Sequence, residues 1–151
     1  MGYFGYMERE KEKYMKLFFS SYFVSLFILL AIDAIWLSIM GKGFYKEQIG
    51  HLMAKDVVWG AALLFYLIYA LGLTVLVIYP LVQTTGCPMQ SLWKGALFGF
   101  TAYATYDLTN MATLKNWPAL LVFVDLVWGT ILTGGSSFIT FMLIKHIFKM
   151  A

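Results

Sequence analysis

Residues 118–144 read PALLVFVDLVWGTILTGGSSFITFMLI, a run of 27 residues in which Asp125 is the one charged side chain. A helix that crosses a bilayer needs about 20 mostly apolar residues, so this run predicts a transmembrane helix. It also raises a question of chemistry, because a carboxylate inside hydrocarbon is expensive unless it has a function or a partner.

The composition of the whole chain is that of a membrane protein. Hydrophobic residues make up 61% of the 151 residues and charged residues only 13%, with a mean hydropathy of +0.75. Soluble proteins carry about a quarter charged residues. The length and the absence of a linker-like tract indicate one domain. We expect a charged N-terminal extension over 1–15 and a four-helix transmembrane domain over 16–151.

Four stretches are long and apolar enough to cross a membrane, at about 17–40, 57–82, 92–110 and 118–144. Backbone groups in lipid must be satisfied within their own segment, and these runs are too evenly apolar for barrel strands. The predicted fold is therefore all-α: a polytopic integral membrane protein built as an antiparallel four-transmembrane-helix bundle.

The distribution of Lys and Arg predicts the orientation of the bundle. Seven of them lie on the side shared by both termini and four on the other side, which favours cytoplasmic termini. The first span is too long for a signal peptide and contains Asp33, so we expect it to be retained.

Several classes of site and partner find no support in the sequence. The single Cys87 excludes an internal disulfide and a cysteine cluster, and His51 and His146 lie outside the spans. Haem, zinc and multi-histidine iron sites are therefore not indicated, and we expect no cofactor. The net charge of +3 is scattered, so nucleic acid is not an expected partner.

Three of the four aspartates have a tryptophan three residues later, in IDAIW, KDVVWG and VDLVWG. Chance would place a tryptophan there for about 3% of aspartates, so the pattern is not accidental. Asp56, in the KDVVWG copy, is best explained as an N-cap or first-turn carboxylate, with Trp59 as an interfacial anchor.

The intramembrane aspartates are predicted to share one half of the membrane. Asp33 lies about seven residues before the end of the first span and Asp125 seven residues into the fourth, so both are about 10 Å deep on antiparallel helices. Asp107 is predicted within a turn of the end of the third span, on the same side.

Small and polar residues form a stripe on each of the last two helices. At about 100° per residue, one face of the fourth helix holds Asp125, Gly129, Thr133, Ser136 and Thr140. The third helix carries Gly95, Gly99, Ala102, Tyr103, Tyr106 and Asn110, with Asp107 at the border. Such stripes allow helices to approach closely.

No lysine or arginine lies at the depth of these acids, so their expected partners are neutral donors: Trp36, Trp128, Tyr103 and Tyr106. An i+3 tryptophan could wall a cavity beside its own aspartate or reach a neighbouring one. The predicted ligand-binding residues are Asp33, Trp36, Tyr103, Tyr106, Asp107, Asn110, Asp125 and Trp128. The alternative is that the acids only join helices by hydrogen bonds.

The segments YATYDLTNMATLKNWP, IDAIWL, FYKEQIG and VDLVWG resemble a bacterial membrane family catalogued as domain of unknown function 2177. The resemblance runs from about Met15 to Ile144, and the residues before Met15 look additional to it. It implies a four-helix protein of the bacterial inner membrane and assigns no activity.

Three functions are compatible with these features. The first is a protein that binds or transports a proton, a small cation or a polar head group in an acidic, aromatic cavity, with transport requiring a homodimer. The second is a cofactor-independent acid–base enzyme acting on a lipid or isoprenoid. The third is an assembly subunit that binds another membrane protein through its small-residue stripes. The bilayer is the common partner, and a small-molecule or lipid ligand is expected for the first two.

Overall fold

The computed structural model describes residues 3–84 and 86–149, and within these ranges all regular structure is helical, which confirms the all-α prediction. The helices are α1 (Tyr3–Met40), α2 (Lys46–Ile49), α3 (Trp59–Leu73), α4 (Tyr79–Gln83), α5 (Pro88–Thr113) and α6 (Ala119–Ile147). Two π-helical segments, Gly41–Tyr45 and Thr74–Ile78, join α1 to α2 and α3 to α4. The chain therefore forms four long rods.

The first rod is longer than the span predicted from the sequence. Its helical residues run without a break from the charged N-terminal stretch through the apolar span to Ile49, and Gly5–Ile49 alone contains 45 residues. At 1.5 Å per residue this is about 68 Å, roughly twice the thickness of the hydrocarbon core. The rod consequently extends beyond the membrane at both ends.

Three of the four rods are apolar and long enough to cross a membrane: Gly5–Ile49, Trp59–Gln83 and Ala119–Ile147. The fourth, α5, has sufficient length at 26 residues. Its hydropathy is reduced chiefly by the charged Lys94 and Asp107. Threonines at four-residue intervals, Thr101, Thr105 and Thr109, each donate to the backbone carbonyl four residues earlier. We place α5 with the other three because it packs along α6 over most of its length.

The bundle has an apolar exterior, and its interior mixes apolar side chains with many small polar ones, as expected for helices in lipid. Phe27, Phe123 and Ile131 are more than 60% exposed on the outer surface. Serine and threonine side chains fill much of the interior, including Ser25 and Thr74, whose hydroxyls are 3.1 Å apart. Helix α6 lies centrally and contacts both α1 and α5.

The α5–α6 interface depends on residues that recur every four positions on α5. Ser91, Gly95, Gly99 and Asp107 are buried on this face. A Cβ atom at Gly99 would lie 2.1 Å from the carbonyl oxygen of Gly129, so the two backbones are nearly in contact. Asp107 therefore lies in the interface itself, not at the border of the stripe as predicted.

The interpretation of Asp56 as a helix cap is wrong. Helix α3 begins at Trp59, its N-cap residue is Val58, and no side chain caps it. Asp56 is exposed in a bend before the helix, because the chain up to Val58 is not yet helical. Trp59 itself is 77% exposed at the helix start, the position of an interfacial aromatic residue.

The contact at Gly99 gives the first prediction. Gly99→Leu would force α5 away from α6, and overpacking of this kind typically destabilises by about 1–3 kcal/mol. Chemical unfolding in detergent micelles should show this loss. Gly135→Leu is the matched control, because a Cβ atom there meets nothing within 4 Å. Equal stability of the two variants would contradict the packing described here.

Candidate functional site

Asp33 of α1 is buried, and each of its two carboxylate oxygens accepts a hydrogen bond. Trp128 of α6 donates its indole N–H to Oδ1 at 2.9 Å, and Tyr66 of α3 donates its hydroxyl to Oδ2 at 2.5 Å. A carboxylate that accepts one hydrogen bond on each oxygen is stabilised without a countercharge. Asp33 thus joins three helices.

Asp125 of α6 is held differently. Its Oδ1 accepts a hydrogen bond from the hydroxyl of Tyr45, and that hydroxyl accepts the indole N–H of Trp36 at 3.0 Å. Its Oδ2 accepts no hydrogen bond from the described residues. This oxygen also differs from the two oxygens of Asp107, which are completely buried without a partner of full hydrogen-bond geometry. One oxygen of Asp125 therefore has no hydrogen-bond partner among the described residues and is not fully enclosed, although the residue as a whole is only 7% exposed.

Two of the three copies of the aspartate–tryptophan pattern, those of Asp33 and Asp125, are explained by a crossed arrangement. The tryptophan that follows Asp125 binds Asp33, and the tryptophan that follows Asp33 binds the tyrosine on Asp125. The two indole rings stack between the helices, with centroids 4.1 Å apart and planes 7° from parallel. A residue at i+3 lies about 60° around the helix from its aspartate, which directs the tryptophan to the neighbouring helix.

The π-helical segment Gly41–Tyr45 helps to bring Tyr45 to this site. On a regular α-helix Tyr45 would lie about 180° around the axis from Trp36, too far for contact. The wider π turn reduces the rotation per residue, and π turns are frequent at functional sites. Tyr45 then reaches both the Trp36 indole and Asp125.

A cavity of about 320 Å³ adjoins Asp125 between α3, α5 and α6. Aromatic side chains dominate its lining, which consists of Phe65, Tyr69, Ala102, Tyr103, Tyr106 and Asp125. Tyr69 is fixed by a 2.7 Å hydrogen bond to Thr133. The Tyr103 ring lies against Gly129, where a Cβ atom would come within 2.3 Å of it, so this glycine is required to seat the ring.

Asp107 is fully buried on α5 and stands apart from the crossed network. Neither of its oxygens meets a donor with full hydrogen-bond geometry among the described residues, but the indole N–H of the adjacent Trp117, which has no other partner there, lies close enough to act as a weak donor. Trp117 also makes an edge-to-face contact with Tyr106, at 5.9 Å between ring centroids. Helix α5 continues to Thr113, so Asp107 lies about 9 Å from its end. The prediction that Asp107 lies within one turn of the helix end is therefore wrong.

The structure thus separates the predicted site residues into three groups. Asp33, Trp36, Asp125 and Trp128 form the crossed network, while Tyr103 and Tyr106 line the cavity together with Asp125. Asp107 is beside Trp117, and the partly exposed Asn110 lies one turn beyond it on the same helix.

Two tyrosines that hold the acids were not predicted. The hydroxyl donors to the carboxylates are Tyr45 and Tyr66, whereas Tyr103 and Tyr106 had been expected. Tyr45 belongs to the FYKEQIG segment. An aromatic residue in this charged loop was the feature of the sequence that could have indicated its role at the site. Within the described ranges no aspartate makes a salt bridge, and no three His, Cys, Asp or Glu residues cluster to hold a metal.

The helical bundle with its apolar exterior and buried acids defines a helical integral membrane protein. Comparison with known families identifies which one: the model of the family described as "Predicted membrane protein (DUF2177)" matches residues 18–142, so the chain belongs to this family. The resemblance found in the sequence is confirmed. Comparisons with curated proteins and with solved structures give no match.

The crossed network yields a second prediction. Trp128→Phe keeps an aromatic ring in the stack but removes the donor to Asp33, leaving a buried carboxylate oxygen unpaired at a cost of about 1–3 kcal/mol. Chemical unfolding in micelles measures this loss. Trp59→Phe, at an exposed position, should change stability by less than about 0.5 kcal/mol. If the two variants unfold alike, Trp128 does not contribute through its N–H.

Proposed function

We propose that this membrane protein binds an organic cation in the cavity beside Asp125. The observation that carries the proposal is the free Oδ2 of Asp125, which belongs to the one acidic residue in the lining of an aromatic cavity. A carboxylate in such surroundings attracts a positive charge strongly, because little water is present to screen it.

The walls of the cavity suit an ammonium group. Four aromatic rings line it, and the faces of aromatic rings attract cations within about 6 Å of their centroids. Cages of this kind recognise quaternary ammonium ligands. The volume of about 320 Å³ lies at the lower end of the range for ligand pockets, about 300–1,000 Å³. An ammonium head group is therefore a better match than a large molecule.

Asp33 has a positioning role in this proposal. Both of its oxygens already accept hydrogen bonds, and it is absent from the cavity lining. Through Trp128 and the stacked indoles it fixes the face of α6 that presents Asp125. The two acids therefore contribute differently: one orients the helices and the other meets the ligand.

The contacts favour binding over the two alternative functions. An acid–base enzyme would need a second carboxyl group at the cavity, but Asp33 is committed to Tyr66 and Trp128. An assembly subunit would need its small-residue stripes exposed to a partner. Instead, Gly95 packs against Ser137, Gly99 against Gly129, and all three are buried in the α5–α6 interface.

The test is the binding of dodecyltrimethylammonium to protein in lipid nanodiscs. Asp125→Asn removes the negative charge while retaining the shape, so the dissociation constant should rise at least tenfold, about 1.4 kcal/mol. Calorimetric titration against empty nanodiscs gives the value. Glu47→Gln is the control, because Glu47 is an exposed acid outside the cavity and its loss should not alter binding.

Asp33→Asn separates the two roles within the same experiment. This variant should lose stability, since one donor would face the new amide group, while a correctly folded fraction should still bind the cation within about threefold of wild type. Unchanged affinity in Asp125→Asn would refute the proposed function.

A further inference from the structure

We infer that the cation is the head group of an amphiphile, which enters the cavity sideways from the bilayer through a gap between α3 and α5. This inference rests on the proposed function and adds the class of ligand and its route. Three features of the structure carry it: the position of the gap, its depth, and the packing that covers Asp125 on the side of α1.

The gap results from the way α3 and α5 diverge. The two helices meet where the Phe98 ring packs against Tyr69, at 5.3 Å between centroids, and against Gly72, where a Cβ atom would lie 3.1 Å from it. Farther along, Phe65 of α3 and Tyr106 of α5 line the cavity from opposite sides, and they remain 48% and 57% exposed. These two rings form the edges of an opening on the outer surface of the bundle.

The depth of the opening places it among acyl chains. Phe65 lies six residues after the start of α3, and Tyr106 seven residues before the end of α5, which corresponds to about 9–10 Å along each helix. Asp125 lies six residues into α6, at the same level. Since α3 begins with the exposed, interfacial Trp59, a ligand reaching the opening comes from the hydrocarbon side of that level.

Packing covers Asp125 on the side of α1 and of the loop before α6. The π-helical segment and α2 continue α1 past the start of α6, and Tyr45 donates its hydroxyl to Asp125. The covering cluster comprises Phe44, Tyr45, Ile49, Trp117, Leu121, Val122 and Leu126. A hydrated cation approaching Asp125 from this side would have to disrupt the cluster, whereas an amphiphile in the bilayer meets an existing gap.

The size of the cavity agrees with a ligand whose head alone is enclosed. A volume of about 320 Å³ holds an ammonium group and a few carbons but not a long chain. With the head at Asp125, the tail would leave between Phe65 and Tyr106 and remain in lipid. The ligand class is therefore a single- or double-chain amphiphile with a cationic amine or quaternary ammonium head.

The experiment compares dodecyltrimethylammonium with tetramethylammonium, its head without the chain, in nanodiscs holding wild type or Asp125→Asn. The quantity measured is the Asp125-dependent part of binding, which is the difference in binding between wild type and Asp125→Asn. Non-specific partition of the amphiphile into the nanodisc is the same for both proteins and cancels in this difference. We expect the Asp125-dependent part to be at least tenfold tighter for the amphiphile. Ala102→Phe, which fills the cavity between the two rings, should abolish it, and Ala61→Phe, on the exposed surface of α3, should not.

The outcomes distinguish the inference from the function on which it rests. If tetramethylammonium shows Asp125-dependent binding as tight as the amphiphile, the cation enters from water and the inference is overturned while the proposed function stands. If neither probe shows Asp125-dependent binding, both fail. Binding of the amphiphile that survives Ala102→Phe would also overturn the inference.

Discussion

The structure depends on the need to satisfy carboxylates where water cannot do so. Inside a bilayer each acid must find donors on neighbouring helices. Here Trp128 of α6 donates directly to Asp33 of α1, and Trp36 of α1 donates to Tyr45, whose hydroxyl donates to Asp125 of α6. A shift by one residue would move a side chain by 1.5 Å and about 100°, which would break both connections together. The crossed pairs therefore set the height and the rotation of α1 against α6.

Helices α3 and α5 pack around the fixed pair of α1 and α6. The cavity forms because α3 and α5 are attached to that pair more firmly than to each other. Helix α5 is held to α6 by near backbone contact at Gly99 and by the hydrogen bond between Ser91 and Ser137, 2.7 Å apart. Helix α3 is held to α1 through Tyr66 and meets α5 mainly through the Phe98 ring. Helix α3 is thus attached to α1 and, through Tyr69 and Thr133, to α6, and its sparse contact with α5 leaves a space between α3 and α5.

The features that could be predicted from the sequence are those that depend on one helix at a time. Hydropathy gave the all-α fold, and chain direction with residue counting gave the common level of Asp33 and Asp125. What it could not give was the rotation of one helix against another, so Tyr66 could not be matched to Asp33. The contact of Tyr45 with Asp125 could not be predicted, because a π turn changes the helix face on which Tyr45 lies. The predicted depth of Asp107 was wrong because α5 continues for about another turn.

The three buried acids differ in how completely their oxygens are satisfied. Asp33 on α1 has a donor on each oxygen, Asp125 on α6 has a donor on one, and Asp107 on α5 has none with full hydrogen-bond geometry among the described residues. An unfilled acceptor in lipid costs free energy and adds nothing to packing. Natural chains depart from such rules mainly at functional sites. Of the three acids, Asp125 is the one that lines the cavity, and its second oxygen accepts no hydrogen bond from the described residues. This coincidence is the reason to propose a ligand site there, and not only acids that join helices.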